Sequence, residues 1–234
     1  MAKTLGVLVY ENCQPIDFIA PWEVFSLWKT IAEPINLCLI SQDGGYVSCV
    51  NDILIKTHCD FERSPQLDYL IIPGGKGRIN EVNNAKLISF IQKQAQNAQY
   101  ILSICTGMFL LHKAGLLHDK LVTTYWRAMP EARLLSNVQV TEERMVKNGN
   151  IWLAAGVSSG IDLAFEFIAE IDGKEAAGKV QLLYENFPLN HAYCTANMAH
   201  SLPPYNDKEE NSLHLPRYIL EYIEKYAPEV NNLD

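Results

Sequence analysis

The sequence predicts an α/β fold, a doubly wound and mostly parallel sheet with helices on both faces. Three observations carry the prediction. Short apolar runs of strand length, among them Leu5-Gly-Val-Leu-Val-Tyr10 and Tyr100-Ile-Leu-Ser-Ile104, lack the polar alternation of a half-exposed strand, so they read as strands buried on both faces. These runs alternate with segments of helical period up to residue 186, and such alternation implies right-handed βαβ crossovers. The 234 residues are 48% hydrophobic and 20% charged, which supports a sizeable core and excludes a disordered chain.

The first strand is Leu5–Tyr10. After the polar turn Glu11-Asn-Cys-Gln14, Pro15 suits a first helical position, and Ile19, Trp22 and Phe25 recur at helical spacing, predicting a helix over 16–30. Ile35–Ile40 is the next strand, and Tyr46–Val50 with Ile53–Thr57 flank Asn51-Asp52 as a hairpin would. The buried strand Asp68–Ile72 runs into Pro73-Gly74-Gly75-Lys76-Gly77. Val82, Leu87, Ile88 and Ile91 predict one helix over 80–97. Tyr100–Ile104 precedes a helix over Thr106–Leu116, weakened at its end by Gly115. Val138–Thr141 and Met145–Lys147 lead to Asn148-Gly149-Asn150, whose Asn-Gly signals a hairpin into Ile151–Ala155. Helices over 160–171 and 174–186 complete the pattern.

Residues 1–186 therefore form the expected α/β domain. Residues 187–234 change in composition: Pro188, Asn190, Asn197, Pro203, Pro204 and Asn206 mark an irregular stretch before one helix over Leu213–Tyr226, and this extension is expected to pack on the same domain. About 48 residues are too few for an appended pair of helix-turn-helix modules.

Charge narrows the partners. Nineteen Lys and Arg stand against 27 Asp and Glu, for a net charge of −8 with no local basic patch, which disfavours nucleic acid. No window reaches ~18 consecutive apolar residues, and the N-terminus enters a strand pattern directly, so a cytoplasmic protein without membrane association is expected. The six cysteines (Cys13, Cys38, Cys49, Cys59, Cys105 and Cys194) form no CxxC pair, and the six histidines show no metal-ligand spacing. They read as reduced thiols and surface or packing imidazoles, and no metal is expected. The Gly74-Gly75-Lys76-Gly77 turn lacks the spacing of a phosphate loop.

Cys105 carries the chemistry. A cysteine between a buried strand and a helix occupies a sharp turn at a helix N-terminus, where free N–H groups lower a thiol pKa, so a thiolate is expected at neutral pH. A buried apolar cysteine fits the same residues equally well.

Cys105 after a buried strand, Pro73-Gly74-Gly75 after an earlier one, and Gly156-Val157-Ser158-Ser159-Gly160-Ile161-Asp162 before a late helix resemble the DJ-1/PfpI superfamily over residues 4–186. The resemblance implies a flavodoxin-like sheet. The segment Asp17-Phe-Ile-Ala-Pro21-Trp-Glu23 is similar to the isonitrile hydratase branch, which implies that Asp17 approaches Cys105 from the first helix. Read without the resemblance, Asp17 is a first-turn acid complementing the helix dipole.

The resemblance also implies that Thr106, following the nucleophile where other relatives carry histidine, helps to position substrate, and that the N–H groups of Gly75 and Thr106 form an oxyanion-hole-like site. On their own, these residues also fit an ordinary strand-end turn and a hydroxyl that satisfies helix backbone groups. Relatives commonly carry Thr-Thr-His-Trp where this chain has Thr123-Thr124-Tyr125-Trp126. Tyr125 then replaces a pocket histidine, or it is a strand-end aromatic of the core.

The implied activity is a cysteine-dependent, cofactor-free hydration of a small-molecule isonitrile to an N-substituted formamide through a thioimidate. The rivals are a redox-sensing or protein-quality factor with an oxidisable cysteine, a glyoxalase-like enzyme, and a transcription regulator. A homodimer is expected, because family members pair near the first helix and Trp22, Phe25 and Trp28 exceed what one helix face needs.

Overall fold

The computed structural model describes residues 2–32, 35–205 and 214–227. Asn206 and Leu213, read above as parts of the irregular stretch and of the last helix, lie outside the described residues. The chain divides into two units, Met1–Glu185 and Asn186–Asp234.

The first unit is built on a six-stranded sheet with strand order β2-β1-β5-β6-β10-β9. Its strands are β1 (Lys3–Leu8), β2 (Ile35–Ile40), β5 (Tyr69–Ile72), β6 (Tyr100–Ile104), β9 (Met145–Asn148) and β10 (Ile151–Ala154). Every pairing is parallel except β9 against β10, where the Asn148-Gly149 turn reverses the chain and Gly149 takes φ +59°. The apolar runs that predicted buried strands are the inner ones: all four residues of β5 and of β10 are buried, as are the last four of β1.

Helix α1 (Pro15–Ile31) follows β1 and packs against α6 (Ser159–Tyr184), which lies on β6 and β10. The hub is Phe167 of α6. Its ring meets Phe25, Trp28, Tyr69, Tyr100 and Trp152 in edge-to-face contacts with centroids 5.0–6.4 Å apart, the arrangement that aromatic quadrupoles favour. Trp28 also donates from Nε1 to Asp172 at 2.9 Å. Phe25 and Trp28 are therefore consumed inside the chain's own core, which corrects their assignment to an interface surplus.

Helices α3 (Ala85–Ala95) and α4 (Met108–Lys113) pack together, and the one-turn α5 (Met129–Ala132) follows them in the chain. The single helix expected over 80–97 is two: α2 (Arg78–Glu81) ends before Asn84, whose side chain accepts the N–H groups of Lys86 and Leu87 and starts α3 afresh. The two helices expected near residue 172 form one element broken at Gly173, with φ +85° and ψ 163°. The hairpin β3 (Tyr46–Ser48) and β4 (Leu54–Lys56) encloses a 3₁₀ turn over Val50–Asp52. The strand expected over 138–141 does not join the main sheet: β8 (Val138–Val140) pairs in parallel with β7 (Lys120–Val122), which pattern reading missed.

In the second unit, a 3₁₀ segment (Ala196–Ser201) precedes α7 (Arg217–Tyr226), whose start is set by Pro216. The Ala192 N–H donates to the Tyr226 carbonyl at 3.1 Å. Among the described residues no helix is long and apolar enough to cross a membrane.

Candidate active site

The strand order reverses between β1 and β5: the chain runs from β1 outward to β2 and returns on the other side of β1. In open parallel sheets, ligands bind at the carboxyl ends of strands beside such a switch point. Three segments converge there: the end of β5 with Pro73-Gly74-Gly75, the end of β6 with Cys105, and the start of α1 with Asp17.

Cys105 has φ +57°, a left-handed conformation that a non-glycine residue adopts only under constraint. The turn Cys105–Gly107 is 3₁₀ and passes into α4. Two neighbours hold it. Thr124 Oγ1 donates to the Cys105 carbonyl at 2.9 Å in a buried contact. Gly74 lies so close that a Cβ there would sit 2.4 Å from the Thr106 nitrogen and 3.0 Å from the Cys105 Cβ. Glycine at 74 is a steric requirement of the elbow.

Asp17 is fully buried. Its Oδ2 accepts the Gly74 N–H at 2.9 Å, and no partner meets hydrogen-bond geometry at Oδ1. Burial pushes the carboxyl up to about 7, against the Gly74 N–H and the Cys105 thiol, which both favour the charged form.

The expected thiolate is corrected here. Cys105 is buried, and burial pushes its thiol well above the usual value, with the Asp17 charge adding to the shift. The backbone N–H and hydroxyl of Thr106 pull the other way. Desolvation outweighs the dipole of a helix that is only six residues long. The Asp17 charge thus opposes ionisation of the thiol, so that near neutrality Cys105 keeps its proton while the Asp17 carboxyl, at about 7, exchanges its own.

Thr106 binds this pair to the glycine turn. Its Oγ1 accepts the Gly75 N–H at 3.0 Å, so the donor expected to face an oxyanion is already taken by a side chain in this structure. Gly75 itself requires φ +129°. Tyr125 follows Thr124 and so stands one residue from the elbow's brace, half-buried, with its ring 6.2 Å from that of Trp126.

The structure thus gathers Cys105, Asp17, Thr106 and Gly75 at one point and adds residues that pattern reading passed over. Thr124 was visible only as part of a Thr-Thr pair. Tyr10, at the end of the first apolar run, donates its buried hydroxyl to the Pro73 carbonyl at 2.8 Å. Its phenol is pushed well up by burial and by the neighbouring Cys13, Asp17 and Cys105. Arg78 is buried over the Phe109 ring and makes a two-point ion pair with Glu131. Among the described residues no group of three His, Cys, Asp or Glu side chains could hold a metal ion.

The Thr124 brace makes a prediction. Thr124→Val keeps the shape but leaves a buried carbonyl without its donor, so it is expected to destabilise the fold by ~1–3 kcal/mol. Relaxation of Cys105 toward ordinary φ should also slow its alkylation. Denaturant unfolding and iodoacetamide kinetics check both effects, and Thr124→Ser, which restores the hydroxyl, should recover both.

A mostly parallel α/β sheet carrying a cysteine of left-handed φ on a strand-to-helix turn, beside the crevice at the switch point, defines the structural class of this chain. Within it, residues 3–170 match the DJ-1/PfpI family, and the chain belongs to that family. It is 31% identical to the isonitrile hydratase of Pseudomonas putida over 188 residues, 80% of each chain. It is 24% identical to protein dj-1beta of Drosophila melanogaster, covering 77% of this chain and 95% of that one. A ThiJ/PfpI family protein from Pseudomonas syringae superposes with a TM-score of 0.74 at 23% identity, covering 97% of this chain and 88% of that one.

Proposed function

We propose that this protein is an isonitrile hydratase-like enzyme that acts on a small molecule, needs no cofactor, and works as a cytoplasmic homodimer. The observation that carries the reading is the buried Asp17–Cys105 pair with one carboxyl oxygen uncommitted. Similarity to the Pseudomonas putida isonitrile hydratase supports it.

The chemistry follows from the pair. An isonitrile carbon is both electrophilic and basic, so addition needs a soft nucleophile and a proton at the same atom. The Cys105 sulfur forms the S–C bond while its thiol proton passes through Asp17 to that carbon, giving a thioimidate. Water then adds to the C=N bond, its oxygen to carbon and one proton to nitrogen, and the S–C bond breaks as the remaining hydroxyl proton returns through Asp17 to the sulfur, releasing the formamide and restoring the thiol. Burial raises the Asp17 carboxyl into the range where it serves as an acid near neutrality. Thr106 supports the sulfur's negative charge through its N–H and hydroxyl. Tyr125 contributes to the substrate-facing wall in place of the family's histidine.

Turnover of a small isonitrile panel, with methylglyoxal and an aryl amide as comparison substrates, tests this reading. Formamide from isonitriles is the expected product. Its absence across the panel overturns the reading, and lactate from methylglyoxal would move the assignment to a glyoxalase-like enzyme.

For the dimer, the apolar surface left over near the start of α1 is Ile16 and Ile19, both about two-fifths exposed, beside the half-buried Trp22, which stacks on His58 at 5.7 Å. A two-fold contact would bury this stripe next to Asp17. Sedimentation at micromolar concentration is expected to give a dimer that Ile19→Glu weakens. A wild-type monomer would remove this part of the proposal.

A further inference from the structure

The fold brings four of the six cysteines into two pairs that the sequence keeps far apart. Cys13 and Cys49, 36 positions apart, place their sulfurs 3.5 Å from each other, and Cys38 and Cys59 place theirs at 3.4 Å. All four are free thiols.

The first pair has the features of a reactive dithiol. Two backbone hydrogen bonds bracket it, Asn12 N–H to the Ser48 carbonyl at 2.8 Å and Val50 N–H to the Cys13 carbonyl at 3.0 Å. They hold the two segments at about strand spacing, which falls within the Cα separations a disulfide accepts. The two thiols are also unequal. The hydrogen bond with Cys13 holds the Cys49 thiol below its usual value, while the same contact and burial push Cys13 far above it. Cys49 is therefore the readier of the two to ionise and Cys13 the readier to keep its proton, the inequality that thiol oxidation followed by resolution uses.

Cys49 is buried but opens a turn whose next residues, Asn51, Asp52 and Ile53, are exposed, with Asn51 and Asp52 at φ +61° and +60°. In the second pair, burial pushes Cys38 up to about 12, and its Sγ is also oriented toward the Leu39 carbonyl.

We propose that Cys13 and Cys49 form a dithiol redox site, separate from Cys105, that a small hydroperoxide converts to an intramolecular disulfide. The Cys49 thiolate attacks the peroxide oxygen, the O–O bond breaks, and the alcohol or water departs with a proton, leaving Cys49 as a sulfenic acid. The Cys13 thiol then attacks that sulfur, the S–S bond forms, and water leaves with the sulfenic oxygen and the thiol proton. The two sulfurs together lose two electrons, which the peroxide gains. A small oxidant reaches Cys49 by opening of the Val50–Ile53 turn.

The site is wired to the elbow. Gln14 N–H donates to the Gly74 carbonyl at 2.8 Å and Gly77 N–H to the Asn12 carbonyl at 3.0 Å, so both neighbours of Cys13 brace the glycine turn that holds Asp17.

The test exposes the intact protein and its Cys105→Ala variant to graded hydrogen peroxide. Remaining thiols are blocked in denaturant and peptides are mapped without reduction. The expected result is one cross-linked Cys13–Cys49 peptide, short of two hydrogen atoms, formed equally in both proteins and reversed by dithiothreitol. In Cys49→Ser, Cys13 should stay reduced at the same dose. Cys13 and Cys49 both alkylated at doses that fully oxidise Cys105 would overturn the proposal, as would a Cys38–Cys59 cross-link as the sole product. Cys13 oxidised as readily in Cys49→Ser would overturn it as well. The readout is independent of isonitrile turnover.

Discussion

Cys105→Ser and Cys105→Ala are expected to abolish isonitrile turnover, and Asp17→Asn to lower it by ~10²–10⁴-fold with the fold intact. The two losses differ in origin. Without the sulfur no S–C bond forms, whereas an amide at 17 keeps the acceptor for the Gly74 N–H and removes only the carboxyl that passes the proton to the isonitrile carbon. Asp17→Glu should cost ~10²-fold, because an added methylene shifts the carboxyl by about an ångström in a site braced on every side. The pH profile of kcat/KM separates this account from a structural role for Asp17. The active form holds one proton on the Cys105–Asp17 pair, so the wild type should follow a bell whose limbs belong to the pair. Asp17→Asn should lose the acidic-side dependence that the carboxyl imposes. Undiminished turnover in Asp17→Asn would end the acid assignment.

The second expected result concerns stability. Burial holds the Asp17 carboxyl at about 7 in the folded protein, against an ordinary value of 3.8 in an exposed chain. The folded state therefore binds this proton more tightly than the unfolded state does. The contribution is fully present below about pH 4 and is lost as pH rises through about 7. Asp17→Asn does not titrate, so its stability relative to wild type should increase across that window, by up to ~4 kcal/mol at pH 8. Urea unfolding at pH 4, 6 and 8 measures the difference. A gap independent of pH would mean that the carboxyl is not held protonated by its burial. Turnover and stability should move in opposite directions at pH 8, as expected where a group is kept in a costly environment for its chemistry.

The elbow was legible in the sequence because its requirements are local. A buried run ending at Ile104, a cysteine, a small residue and Gly107 describe a strand, a sharp turn and a helix start within eight positions. The crevice was legible as well, since Pro73-Gly74-Gly75 at a strand end reports a close backbone approach. Asp17 was placed by resemblance, because a lone first-turn carboxylate has no local signature that separates catalysis from helix capping. The break at Asn84 was missed because Val82, Leu87, Ile88 and Ile91 continue one apolar face across it, and periodicity does not register a side chain that caps a new helix.

By itself, then, the sequence determined the strands, most of the helices and the residue at the head of the elbow, all of which depend on neighbours in the chain. Tertiary structure alone decided the rest. It set which hydroxyl braces the Cys105 carbonyl, that Thr106 rather than a free site takes the Gly75 N–H, and that Phe25 and Trp28 are spent on Phe167. It also brought Cys13 to Cys49 across 36 positions. Above all it removed the negative charge expected on Cys105. A helix terminus is a feature of a few consecutive residues, but desolvation is the sum of everything packed around the sulfur, and that sum exists only once the chain has folded.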